Sequence, residues 1–203
     1  MFTGIVEEVG QVVAVQWLTD SAVLRVRSAL ATSDARPGDS IAVSGVCLTV
    51  VEVDGDTFSV DVMRETLLRS SLDGVEPGMR VNVERAMPAS GRFGGHVVQG
   101  HVDGVGTVRS RVPGQRWEVV AFDLPQQLRR YVVHKGSIAL DGVSLTVSAL
   151  TETGCEVSLI PTTLEATTLG EVKVGGRVNV EVDVVAKYVE RLLGPCGQGV
   201  VGA

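Results

Sequence analysis

The sequence is poor in aromatic side chains (4%) and in cysteine (three in 203 residues), and it carries neither a basic stretch nor a long apolar run. Each shortage removes a class of function. Cys47, Cys155 and Cys196 are scattered without paired-ligand spacing, which argues against a disulfide framework or a cysteine zinc site and for a reducing cytoplasm. A net charge of -6 with no basic cluster argues against nucleic acid as a partner. No apolar run approaches the roughly 20 residues of a membrane span, so no membrane association is predicted. Histidine is scarce too. His96 and His101 are five residues apart, on opposite faces of any extended strand, and His134 is distant, so no metal site is predicted. The Gly-rich runs Gly91–His96 and Gly194–Gly199 lack dinucleotide or phosphate-loop spacing and read as linker and disordered tail.

What the chain does have is an internal repeat. Ser40–Val50 (SIAVSGVCLTV) returns 97 residues later as Ser137–Val147 (SIALDGVSLTV). Gly78–Glu84 returns at the same offset as Gly175–Glu181, and Gly4–Gly10 matches Gly100–Gly106 with the register slipped by one. The matching sequence starts at Met1 or Phe2, which predicts no signal peptide. Two tandem modules of this size suit two small domains better than a solenoid. A duplicated chain suits a task with two similar objects to hold.

Gly4–Val15, Ala22–Arg27, Ile41–Val53, Thr57–Val62 and Arg80–Val83 are rich in β-branched residues and read as strands. Turn signals at Pro37-Gly38-Asp39, Asp54-Gly55-Asp56 and Pro77-Gly78 separate them. Short helical stretches are expected near Glu65–Ser70 and Thr163–Thr168. Many short strands per module predict an all-β chain of two small closed barrels, since closure removes the exposed edges of valine-rich strands. After Asp183 the pattern turns helical, with Val184, Val185, Tyr188, Val189, Leu192 and Leu193 on one stripe. A three-turn helix is marginal alone, so this stripe reads as a self-association contact. The expected division is 1–96, 97–183, and a helix with tail over 184–203.

Aligned positions that carry the barrel stay alike: Gly45 with Gly142, Leu48 with Leu145, Thr49 with Thr146, Asn82 with Asn179. Others change chemistry. Ile5 is matched by His101, Thr3 by Gln99, Cys47 by Ser144, Ser44 by Asp141, Gly38 by Lys135, and Ala86 by Asp183. Arg64-Glu65-Thr66 is answered by Pro161-Thr162-Thr163. One pocket type held twice, with acid–base groups added mainly in the second copy, accounts for the pattern.

Met1–Val6, the Cys47-Leu48-Thr49 and Ser144-Leu145-Thr146 pair, Gly94–Val102, Leu159–Leu164 and Gly176–Asp183 together resemble the alpha-type riboflavin synthase family, over nearly the whole chain. The resemblance implies two six-stranded Greek-key β-barrels with a C-terminal α-helix, a homotrimer held by that helix, and no metal or external cofactor. It implies the dismutation of two 6,7-dimethyl-8-ribityllumazine molecules into riboflavin and 5-amino-6-ribitylaminouracil. Carried over by position, ligand contacts fall on Gly4, Ile5, Val6, Cys47, Leu48, Thr49, Asp61, Val62, Met63, Arg64, Glu65 and Thr66 in the first copy. In the second they fall on Gly100, His101, Val102, Lys135, Ser144, Leu145, Thr146, Ile160, Pro161, Thr162, Thr163, Leu164 and Glu165. His101, Ser144, Thr146 and Asp183 are the expected catalytic groups, with Cys47 and Ser40 contributing from the first copy. Non-catalytic lumazine- and flavin-binding proteins share the resemblance and stand as the alternative. Association with lumazine synthase is a partner question the resemblance raises.

Overall fold

A computed structural model describes residues 1–194. The first barrel comprises β1 (Glu8–Trp17), β2 (Ser21–Arg27), β3 (Ser40–Val43), β4 (Val46–Asp54), β5 (Thr57–Met63) and β6 (Arg80–Arg85), with short helices α1 (Ala29–Thr32) and α2 (Arg64–Arg69). The second comprises β7 (Gly104–Pro113), β8 (Glu118–Asp123), β9 (Ser137–Leu140), β10 (Val143–Leu150), β11 (Gly154–Leu159) and β12 (Arg177–Val182), with α3 (Pro161–Ala166) after β11. Helix α4 (Val184–Leu193) closes the described chain. The tail expected beyond Gly194 lies outside the described residues.

Both barrels are closed and antiparallel, in the order β1-β2-β5-β4-β3-β6 and the equivalent β7-β8-β11-β10-β9-β12. Alternation explains closure: along β2, Ala22, Leu24 and Val26 turn inward while Arg25 and Arg27 turn out. The inward residues of all six strands fill one core per barrel, around Phe58 in the first and Phe122 in the second. Register slips recur at matching places, between Val12 and Ala14 and again between Val108 and Ser110. They recur also between Val50 and Glu52 and between Val147 and Ala149. Such bulges bend the strands enough for six of them to close.

The barrels pack through reciprocal contacts. The hairpin turns Ser44-Gly45 and Asp141-Gly142 have positive φ at both positions, as a two-residue turn between twisted strands requires. They press together so closely that a Cβ on Gly45 would lie 2.6 Å from the Gly142 nitrogen. Asn82 donates its side-chain N–H to the Asp141 carbonyl (2.9 Å), and Asn179 does the same to the Ser44 carbonyl (2.8 Å). Their amide oxygens accept from Thr168 N and Ser71 N (2.8 and 2.6 Å). Arg177 pairs with Asp73 across the interface (2.7 Å), and Arg80 pairs with Glu171. These half-exposed pairs contribute little to stability.

Two expectations change. Ile41–Val53, read as one strand, is the hairpin of β3 and β4, because Ser44 and Gly45 take positive φ and reverse the chain. Gly4–Val6 is not the start of β1 but part of an arm that leaves its own barrel. Gly4 O accepts from Ser144 N of β10 (2.7 Å), and Val6 packs against the second core. Conversely, Gly100 O accepts from Cys47 N of β4 (2.8 Å), and Val102 packs against the first core. Phe2 and Val98 pair where the arms pass, fully buried with Ala42 and Ala139.

Two predictions follow from this interface. A fragment of residues 1–96 has an arm without its Ser144 edge and a β4 edge without Gly100. Two fragments satisfy both by exchanging arms, so sedimentation should show a dimer; a stable folded monomer would refute the exchange. Asp141, buried, is pushed by that burial from 3.8 up to about 7, against the N–H that Asn179 donates to it. The folded state therefore keeps a proton that the unfolded chain has lost between about pH 4 and 7, and stability falls as pH rises through that window. Asp141→Asn keeps the acceptor and tolerates the φ of 45°. It should remove this fall and gain roughly 2–4 kcal/mol at pH 8. Urea unfolding at pH 5 and pH 8 checks this, and an equal effect at both would count against it.

Candidate functional site

Each barrel presents one polar outer face, built by the hairpin that carries the repeated Leu-Thr. On the first, Ser40 of β3 lies opposite Thr49 of β4, and Ala42 lies opposite Cys47. Val50 pairs with Val60, so one step along brings Thr49 level with Asp61, and Thr49 and Asp61 both point out. Leu48 and Val62 point inward and support this face from the core. On the second barrel Ser137 lies opposite Thr146, and Ala139 opposite Ser144. Lys135 bonds through its N–H to Val147 O (2.9 Å) in a left-handed backbone conformation (φ 64°), beside the same hairpin.

The arms complete these faces crosswise. Gly100 touches Cys47 so closely that a Cβ would lie 2.6 Å from the Cys47 Cβ, which carries His101 and Val102 to the first barrel. Gly4 meets Ser144 equally closely, which carries Ile5 and Val6 to the second. Two buried carboxylates anchor the arms. Glu84 accepts from Thr3 N (2.6 Å), Thr3 Oγ1 (2.9 Å) and Gly4 N (3.0 Å). Glu181 accepts from Gln99 N (2.7 Å) and Gly100 N (2.9 Å). Burial raises the pKa of both carboxyls, and the N–H donors work against that rise.

The residues expected to act together thus fall in two groups. Ser40, Cys47 and His101 belong to the first face; Ser144, Thr146 and Asp183 belong to the second. Asp183 also caps α4, its Oδ1 accepting from Val185 N (3.0 Å). Met63, Arg64 and Glu65 lie at the exposed junction of β5 and α2, where Glu65 pairs with Arg69 (2.9 Å). Thr66 O accepts from the Ser70 hydroxyl (2.6 Å), which fixes the turn leading to Ser71 and its bond with Asn179. Ile160, Pro161, Thr162 and Glu165 are the exposed counterparts at β11 and α3. Thr163 O accepts from the Thr167 hydroxyl (2.7 Å), and Leu164 packs inward. A cavity of about 500 Å³ takes in Ile5 and Ser40 but neither Thr49 nor Cys47.

Three contributors escaped the sequence reading. Glu84 and Glu181 sit inside the repeated Arg-Val-Asn-Val-Glu, where their identity in both copies was the available signal. His96, read as linker, places Nδ1 2.7 Å from the Ser144 hydroxyl oxygen. Burial lowers its pKa, and the nearby Asp183 charge opposes that shift.

A family model described as the lumazine binding domain matches residues 3–86 and again residues 99–183. The riboflavin synthase of Mycobacterium bovis is 58% identical over 202 residues, covering 97% of this chain and all of that protein. The riboflavin synthase of Bacillus subtilis is 44% identical, covering 95% of this chain and 90% of its own length. Among solved structures, LumP complexed with riboflavin superposes with a TM-score of 0.84 at 24% identity, covering 90% of this chain and all of that one. LumP complexed with 6,7-dimethyl-8-(1'-D-ribityl) lumazine gives 0.82 at 23%, covering 90% and 99%. These last two likenesses speak to the fold.

Gly100→Ala should displace the second arm, because the added Cβ meets Cys47 and the φ of 78° is strained for any side chain. The expected cost is about 1–3 kcal/mol. Hydrogen exchange at the Cys47 amide should accelerate; unchanged protection there would show that the arm does not hold this face.

Proposed function

The chain belongs to the riboflavin synthase family of duplicated lumazine-binding domains, and from that premise we propose that its two faces each hold one 6,7-dimethyl-8-ribityllumazine. One molecule passes a four-carbon unit to the other. The products, riboflavin and 5-amino-6-ribitylaminouracil, contain every atom of the two substrates, so no further reactant is required. The observation that carries this reading is the pair of equivalent faces with unlike polar groups, Cys47 and His101 on one and Ser144 and Asp183 on the other.

The lumazine ring supplies its own electronics, since its ring-conjugated methyl group is unusually acidic. The protein's main contribution is then to hold two rings face to face. Such orientation supplies up to roughly 7–11 kcal/mol, and well-placed proton donors and acceptors add a few more. Backbone groups of Gly4–Val6 and Gly100–Val102 read the ring edges, and Thr49 and Thr146 orient them by their hydroxyls. Glu65, Thr66 and Thr163 hydrogen-bond the ribityl chains. His101 moves a proton at the first ring, while Ser144 and Asp183 serve the second. Cys47 acts as a polar neighbour rather than a covalent nucleophile, because the equivalent residue is already Ser144.

We assign the units as 1–96, 97–183 and 184–203, with leading arms exchanged between the first two. Both polar faces lie open on the single chain, with Met63 70% and Ile160 55% exposed among the residues of the proposed contact set. On α4, Val185, Tyr188, Val189, Leu192 and Leu193 are all exposed, Leu192 by 85%. An apolar stripe of that kind marks a contact. We therefore read the working unit as a homotrimer joined by α4, in which the first face of one subunit meets the second face of its neighbour. The scarcity of cysteine supports a cytoplasmic setting. Among the described residues, no helix is long and apolar enough to cross a membrane.

Incubation with the lumazine should yield riboflavin by absorbance; tight binding without turnover would instead mark a non-catalytic binder. Mixing a first-face variant (Thr49 and Thr66 to Ala) with a second-face variant (Ser144 and Asp183 to Ala) should restore turnover that neither has alone. No recovery, with subunit exchange verified by mass spectrometry, would confine the site to one chain. Sedimentation of the intact protein should give a trimer, and the same run with lumazine synthase added tests that partner.

A further inference from the structure

The exchange of arms gives each face one histidine, but from different places in the repeat. The first face receives His101 through Gly100. At the matching place on the second face stands Ile5, which cannot exchange a proton. That face is served by His96, which precedes the repeated segment Gly100–Gly106. His96 Nδ1 lies 2.7 Å from Ser144 Oγ, and its Nε2 is buried without a hydrogen-bond partner among the described residues. Gly95 makes the approach possible: a Cβ there would lie 2.6 Å from both the Ser144 Cβ and Oγ.

The unpartnered nitrogen decides the tautomer. A buried N–H without an acceptor is rarer than a buried acceptor without a donor. A bare Nε2 avoids that cost, and it puts the proton on Nδ1. Nδ1–H then donates to Ser144 Oγ, which leaves the Ser144 O–H free to donate to another acceptor.

We propose that His96 is a positioning residue of the second face, donating from Nδ1 to Ser144 Oγ so that the serine hydroxyl presents its hydrogen to an acceptor atom on the bound ring. This rests on the assignment of Ser144 to a ligand face made above. The two faces are thereby chemically distinct: a thiol with a solvent-open histidine on the first, and a serine donor oriented by a half-buried histidine on the second.

The test is a mutant cycle on the intact protein. His96→Ala and Ser144→Ala should each lower kcat by about tenfold or more, the scale of one oriented hydrogen bond, with smaller changes in KM. The double variant should be no worse than Ser144→Ala, because one interaction is lost in all three. His96→Asn, whose amide N–H stands in for Nδ1–H, should recover much of the loss. Nitrogen NMR of the ligand-free protein should show His96 protonated at Nδ1, a readout independent of turnover. Losses that multiply in the double variant, an Asn variant as poor as Ala, or a proton on Nε2 would each overturn the assignment. If the parent protein forms no riboflavin while NMR shows the Nδ1 proton, the proposed reaction fails and the His96–Ser144 pairing stands.

Discussion

Two buried asparagine side chains hold the molecule in its working arrangement. Asn82 and Asn179 occupy matching places on β6 and β12, and each is almost wholly removed from solvent. Each directs its N–H to the opposite hairpin turn and its carbonyl oxygen to the short turn that follows the opposite surface helix. One amide therefore fixes the distance between barrels, the turn preceding Cys47 or Ser144, and the segment after the proposed ribityl contacts. A buried polar network in which both asparagine amides are paired specifies one geometry where an apolar interface would allow several. Removing one amide would strand a carbonyl and an N–H at once, each costly when buried.

Duplication alone would produce two faces of the same chemistry. Substitutions in the crossed arms break that equality, since each barrel's face is finished by residues from the other module. Substitution in one arm therefore alters the opposite barrel. Ile5 and His101 are equivalent by sequence yet serve different barrels, and Cys47 and Ser144 receive different companions as a result. This division suits a reaction in which two identical molecules must take opposite roles, one giving and one receiving.

The barrels were legible in the sequence because closed β-structure writes a local signature. Alternating apolar residues on β2, β5 and β6, the Gly-containing turns, and the exact recurrence of Ser-Ile-Ala all survive in one dimension. The α4 stripe was legible for the same reason, with a period of 3.6. The arms were not. Gly4-Ile5-Val6 has the composition of a strand, and only a partner far along the chain decides that it pairs with β10 rather than extending β1. Alignment of the copies identifies which residues correspond but not which barrel each one faces. His96 was hidden by its neighbours, because Gly94 and Gly95 look like linker until Ser144 is seen to need the small size of Gly95.

The arm of the first module also has a history in the making of the chain. When the ribosome has delivered the first barrel, the β4 edge at Cys47 and the Gly4 carbonyl are both complete but neither has its partner. Gly100 must still emerge, and Ser144 comes later still. Non-local closures of this kind are slow, and unpaired edges in the interval invite pairing with another nascent chain. Neighbouring polysomal chains of this protein thus carry matched, unfilled edges for a time. The arm that completes the mature molecule is, during translation, its most exposed opportunity for error.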